Sequence, residues 1–218
     1  MADTAADAVR RIGMKLAALG QTGLAFGNSD YDLDRYRQVS ALAAELLAVA
    51  SGHPAAELAA ELGRDFGYVT PKVAVGAVVG NDEGQILLVQ RSDSGIWLYP
   101  TGWADVGYSP AEVAVKEVLE ETGIECEVLR LIAVIDGLRM GFTRVPLYSL
   151  VFHCKATGGA LQRHPLETAD VGWFSPDDMP LPIVGLDRWG PAAFAAIRGE
   201  PVDVQFDKPR APVWRGDD

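Results

Sequence analysis

The chain is poor in cysteine: only Cys126 and Cys154 occur in 218 residues. They stand far apart, without the close spacing of a metal-binding pair. Each lies among apolar neighbours and reads as a buried, inert thiol. Basic residues are also in the minority, 19 Lys and Arg against 30 Asp and Glu, for a formal charge of −11. A field of that sign repels polyanions and argues against a nucleic acid polymer as partner. It leaves room for a small anionic substrate, because a bound divalent cation reverses the sign locally. No apolar run reaches the length of a membrane span, and the N-terminus lacks a charged-then-apolar leader. A cytoplasmic protein without a membrane partner is expected. Internal repeats and low-complexity tracts are missing as well.

What is present divides near residue 70. Residues 5 to 66 carry helical periodicity: Val9, Ile12, Leu16 and Leu19 form one stripe, and Gly20 and Gly23 are expected to end it. Asn28 to Asp34 is a polar turn with capping candidates, followed by a second stripe at Tyr36, Val39, Leu42 and Leu46. Pro54 is placed in the first turn of a third helix carrying Leu58 and Leu62. Three short helices make a weak core alone, so this segment is expected to pack on the rest of the chain or on a partner copy. Beyond Thr70-Pro71, Val73 to Val79 and Ile86 to Val89 are β-rich runs joined by Asn81-Asp82-Glu83-Gly84. Strand character returns at Cys126 to Ile135, Pro146 to Cys154 and Val171 to Phe174. Ser175-Pro176-Asp177-Asp178 reads as a helix start, and Pro191 to Ile197 as a last short helix. The chain from Gly199 reads as an irregular tail. The expected domains are helical over 1–68, mixed α/β over 69–200 and irregular over 201–218.

The informative segment runs from Leu98 to Ile124. Ser109 is an N-cap, Pro110 fits the first helical position, and Glu112 completes a capping box. Gly123 is a C-terminal stop. Between them Glu117, Glu120 and Glu121 recur at i, i+3 and i+4, which stacks three carboxylates on nearly one face. Like charges so spaced cost roughly 0.2–0.5 kcal/mol per pair, and only Lys116 is close enough to offset them. Carboxylates gathered beside a glycine loop are what a hard divalent cation and its phosphate ligand require. Val115, Val118, Leu119 and Ala111 supply the apolar side of the helix.

This window resembles the Nudix box, Gly-x5-Glu-x7-Arg-Glu-U-x-Glu-Glu-x-Gly-U with U a bulky aliphatic residue. Gly102 aligns with the first glycine, and Glu117, Val118, Glu120, Glu121, Gly123 and Ile124 match. Two positions depart: Tyr108 stands in place of the first glutamate and Lys116 in place of the arginine. Lysine keeps the charge but lacks the planar fork that holds two carboxylates, and tyrosine offers only a hydroxyl. Because both members of one supporting interaction changed while the ligands stayed, a coordinated replacement is the reading. The resemblance covers about residues 70 to 180. The helices before it, with the phrase Gly102-Trp-Ala-Asp-Val-Gly107, are similar to a subgroup acting on ADP-ribose or CDP-choline.

The resemblance implies an α/β (α+β) fold, a Nudix-type mixed-sheet α/β/α sandwich preceded by a small helical domain. It implies a phosphoanhydride hydrolase that uses Mg²⁺ or Mn²⁺ on a small nucleoside diphosphate derivative, and a homodimer. Glu117 and Glu121 are the first metal ligands, with Glu120 as a further ligand or the base and the Thr101 carbonyl completing the set. An acid from a later loop often joins, and Glu167 or Asp170 lies in the corresponding region. Arg91 is a phosphate candidate, Trp97, Tyr99 and Trp103 flank the site, and Arg139 and Arg144 belong to a loop suited to specificity. His153 and His164 show no catalytic pairing. The competing readings are a non-catalytic nucleotide sensor, favoured by Tyr108 and Lys116, and an isoprenoid-diphosphate isomerase, which needs a catalytic cysteine nearby.

Overall fold

A computed structural model of the chain describes residues 5–64, 67–140, 143 and 145–209. It divides into two compact units, Met1–Pro71 and Lys72–Asp218. No helix among the described residues is long and apolar enough to cross a membrane.

The first unit is helical: α1 (Ala5–Phe26), α2 (Asp30–Ser51) and α3 (Ala55–Leu62). Ser29 caps α2 by accepting from the Asp32 amide at 3.1 Å, and Gly52 ends it in the left-handed conformation. The expectation that Gly20 and Gly23 break the first helix is wrong, since α1 runs through both. Their role is close approach. A Cβ at Gly20 would overlap Ser40, and one at Gly23 would overlap the ring of Tyr36. Pro54 is the N-cap of α3, one step before the helix. Ala44, Leu47 and Leu58 make a small buried core with Met14, Ala48 and Leu62 against it. Ile12, Leu19 and Leu42, members of the two apolar stripes, are exposed.

The second unit is a mixed sheet between helices. Its strands are β1 (Lys72–Gly80), β2 (Ile86–Arg91), β3 (Trp97–Leu98), β4 (Thr101–Trp103), β5 (Ile124–Asp136), β6 (Leu147–Gly159), β7 (Thr168–Phe174) and β8 (Gln205–Phe206). The helices are α4 (Pro110–Thr122), the short α5 (Gly137–Met140) and α6 (Leu186–Ile197). The order is β3-β2-β1-β6-β5-β8, with β4 on β1 and β7 on β2. One edge of β1 is shared: Gly80 pairs with Ile86, while Ala74 to Gly76 pair with Trp103 to Thr101. The other edge lies parallel to β6.

Alternation along β1 feeds two cores. Val75, Ala77 and Val79 join Leu87 and the α4 residues Val113, Ala114 and Val118. Val78 points to the opposite layer, with Ile132, Val151 and the α6 residues Trp189, Ala193 and Ala196. The sheet is thus sandwiched, as expected for the fold class. Val113 and Val118, wholly buried, each contribute roughly 1.5–3 kcal/mol to holding α4 on the sheet. Of the apolar side read from the sequence, Val118 is buried and Ala111 and Val115 are half-buried, whereas Leu119 is exposed and Val113 and Ala114 take its place.

Three further elements depart from expectation. Ser175 to Asp178 forms a turn, with the Asp178 amide on the Ser175 carbonyl at 3.0 Å, and starts no helix. The last helix begins at Leu186 and contains Pro191. The tail, expected to be irregular, adds β8 in parallel to β5.

Candidate functional site

The cap residues of α4 behave as their sequence dictates. The Glu112 amide donates to Ser109 Oγ at 3.3 Å and the Ser109 amide to Glu112 Oε2 at 2.6 Å. With the start so fixed and the inner face buried, the last two turns present Glu117 and Glu121 to β4.

There the three glutamates take different environments. Glu121 is buried, only 6% exposed, and its Oε2 accepts from the Thr101 amide at 2.9 Å. Burial pushes its carboxyl up to about 8; the amide of Thr101 and the charge of Arg91 oppose this, while Glu117 and Glu167 add to it. The carboxylate of Glu117 lies where a Cβ on Gly102 would be, so that glycine makes the space for it. Glu117 is also raised, first by burial, with Lys116 pulling the other way and Glu120, Glu167 and Asp105 pushing further. Glu120 turns outward to the Lys116 ammonium at 2.8 Å. Lys116 in turn holds its proton more firmly than a free lysine, chiefly through Glu120. Among the described residues no three acids already converge to grip an ion.

The Thr101 backbone suits the set. Its neighbours Pro100 and Gly102 face β1, Pro100 through its carbonyl to the Ala77 amide at 2.9 Å and Gly102 in register with Val75. Thr101 therefore turns its amide and carbonyl to the opposite edge, the one where Glu121 sits. Carboxylate oxygens with a backbone carbonyl form the donor chemistry of a hard divalent cation. The Gly102 hollow filled by Glu117, with Glu121 buried beside it, fits such an ion.

Glu117, Glu120 and Glu121 line a cavity of about 430 Å³ with Glu167, Asp105, Lys116 and Arg91. A second cavity of about 400 Å³ shares Arg91, Asp93, Thr101, Gly102 and Trp103 with it and continues over Leu98, Tyr99, Leu147, Ser149 and Trp189. Arg91 grips Asp93 through two hydrogen bonds, Nε to Oδ1 at 3.0 Å and Nη2 to Oδ2 at 2.6 Å. This holds the Asp93 carboxyl down to about 2. An acidic chamber thus opens into a more apolar one, with a guanidinium at the junction.

The other sequence candidates sort clearly. Glu167 reaches the acidic rim, its amide donating to His164 Nδ1 at 3.3 Å and its carbonyl accepting from the Ser92 amide at 2.9 Å. Asp170 faces Gln90 in the β2–β7 ladder and lines neither chamber. Trp103 is half exposed at the shared mouth. Trp97 and Tyr99 are buried and pack edge-on against Phe174 and Trp189 at 5.1 and 5.2 Å. Arg139 lines neither chamber; its Nη1 donates to the Lys208 carbonyl at 2.9 Å. Arg144 falls outside the described residues. Cys126 and Cys154 lie in the α4-side core and line neither chamber. Sequence reasoning gave no role to Asp93, Asp105 or Ser149, since nothing in their spacing marks them.

A NUDIX domain profile matches residues 70–192, and a second profile, "UDP-X-like, N-terminal oligomerisation domain", matches residues 7–61. Bacillus subtilis YjhB, whose name assigns it provisionally as an ADP-ribose pyrophosphatase, is 34% identical over 168 residues. That alignment spans 76% of this chain and 80% of YjhB. Among solved structures, an ADP-ribose pyrophosphatase from Streptococcus suis is 35% identical with a TM-score of 0.55, covering 63% of this chain and 100% of its own. A UDP-X diphosphatase is 30% identical with a TM-score of 0.55, covering 93% and 99%.

Proposed function

Since the chain belongs to the NUDIX hydrolase family, we propose that it cleaves the pyrophosphate bond of a nucleoside diphosphate linked to a second moiety, of the ADP-ribose or UDP-X kind. The observation that carries this is the buried Glu121 carboxylate in the acidic chamber beside Glu117, held on the amide of Thr101, a residue that lines both chambers. Glu117, Glu121 and the Thr101 carbonyl would hold the divalent cation, Mg²⁺ or Mn²⁺, with Glu120 available as a further ligand. Bound there, the cation supplies charge neutralisation at the diphosphate and a more acidic water.

The protein groups do the rest. Arg91 binds phosphate oxygens by exchanging its Asp93 partner for the substrate. Trp103 gives a flat apolar surface at the mouth for a base or sugar. Glu167, on the rim, accepts the proton of the attacking water or ligates. Arg139 is withdrawn from the substrate by its place at the C-terminal segment. Positioning and charge complementarity thus account for the catalysis, as in other phosphoryl chemistry.

The N-terminal unit supports a homodimer, and the setting is cytoplasmic. The relatives bear hydrolase names and lend no support to a non-catalytic sensor. The test is a panel of ADP-ribose, UDP-sugars and CDP-choline with Mg²⁺ or Mn²⁺, scored for nucleoside monophosphate release. At least one compound should turn over, and Glu121→Gln should lower the rate by about 10² or more. A flat panel with both metals would sink the proposal.

A further inference from the structure

We propose that Asp105 is a positioning residue, the anion that receives the Lys116 ammonium when Glu117 and Glu120 turn from it to a divalent cation. The inference rests on the hydrolase reading above and names a residue which that reading does not use.

Three carboxylates divide one ammonium. Lys116 Nζ lies 2.8 Å from Glu120 Oε2, 3.5 Å from Asp105 Oδ2 and 3.7 Å from Glu117 Oε1. An ammonium has three N–H donors and no acceptor, so it can serve all three at once. Two of the partners are proposed cation ligands, and a lysine bound only to them would compete directly with the ion. Asp105 differs because it comes from the loop before α4. Its backbone is fixed on both sides: the Ala104 amide donates to the Val73 carbonyl at 2.9 Å, and the Asp105 carbonyl accepts from the Tyr108 amide at 3.3 Å. Tyr108 is uncharged and does not line the acidic chamber, whereas Asp105 does. The loop's own anion therefore stands at Asp105, where it can take the lysine when Glu120 and Glu117 turn to the metal.

The pair is substantially exposed, with side-chain exposures of 30% for Lys116 and 55% for Asp105. An ion pair so placed adds little to stability. Its effect should appear in metal affinity and leave melting unchanged, which separates positioning from a structural role.

The experiment measures Mn²⁺ binding to the full chain by electron paramagnetic resonance for wild type, Asp105→Asn, Lys116→Gln and the double variant. Asp105→Asn should raise the Mn²⁺ Kd about tenfold, and Asp105→Glu should stay near wild type. In the Lys116→Gln background the Asp105→Asn change should do nothing further. At saturating Mn²⁺ the hydrolysis rate of Asp105→Asn should return to within about twofold of wild type. Metal-free melting checks the fold, with Asp105→Ser as a second charge-removing variant. Wild-type affinity in Asp105→Asn, or an equal loss with and without Lys116, overturns the proposal alone. A wild-type chain that binds no Mn²⁺ overturns this inference, while the hydrolase reading stands or falls with the substrate panel in Mg²⁺ and Mn²⁺.

Discussion

At the scale of the residue, Glu121 shows how burial and function conflict. Its carboxyl is raised above the usual carboxylate value to about 8, mainly by desolvation. In the unfolded chain it titrates near its ordinary value of 4.5. The folded state therefore binds the extra proton between those limits, and metal-free stability should fall as pH rises from about 4.5 to about 8 and then level off. Thermal melts in chelator across that range should show the slope, and Glu121→Gln should shrink it to the part left by Glu117, whose carboxyl is also raised. A melting point that rises over the interval would contradict the assignment. Adding Mg²⁺ at pH 8 should restore stability, because an ion that binds only the folded state shifts the equilibrium toward it. Gly102 makes a second residue-scale case. With Glu117 occupying the space of its missing Cβ, Gly102→Ala should weaken Mn²⁺ binding by about tenfold or more, read by the same resonance titration. The spacing of the glutamates was legible in the sequence, but their separate fates were not. Burial of Glu121 depends on β4, a tertiary contact. Glu120 instead turns outward to Lys116, four residues before it in the same helix, a pairing that spacing permits but does not decide among three acids.

At the scale of the element, α4 was legible because both its ends are set by local chemistry. Ser109, Glu112 and Gly123 act through bonds within a few residues of themselves. Ser109→Ala should therefore cost about 1 kcal/mol by urea denaturation. The glycines of α1 teach the reverse. Gly20 and Gly23 look like breakers to a rule that sees only propensity, yet they sit inside the helix because α2 approaches there. The sign of a substitution distinguishes the two roles. A loosely packed helical glycine gains roughly 0.5–1 kcal/mol on becoming alanine, whereas Gly23→Ala must displace the Tyr36 ring and should lose about 1–3 kcal/mol. A more stable Gly23→Ala chain in the same urea series would show that α1 and α2 do not meet at that point. Strands β3 and β4 escaped notice for another reason: two or three residues carry no period. The last helix was half hidden, since Pro191 reads as a start although Leu186 already begins the turn.

At the scale of the whole molecule, periodicity found the helices of the first unit but left open whether their apolar stripes turn inward or toward a partner copy. Ile12, Leu19 and Phe26 recur two turns apart along α1, and all are exposed, with Leu19 and Phe26 at 63%. Residues so spaced drift by only about 20° per repeat, so they form one stripe. Tyr31, Leu42 and Val49 share a face of α2 by the same geometry and are exposed too, Val49 at 82%. The stripes are real, but the chain's own small core of Ala44, Leu47 and Leu58 does not use them. Exposed apolar rows on a unit with so little core of its own are what an interface between copies would cover. The profile matched over residues 7–61 is described as an oligomerisation domain, which agrees with that reading. Light scattering should then give about twice the chain mass of 23.3 kDa. Leu19→Glu with Leu42→Glu should convert the assembly to the single-chain mass, because each buries a charge in an apolar contact. Both side chains are exposed within the chain, so circular dichroism should still report folded helices. A dimer that survives both charges would place the interface elsewhere on the molecule.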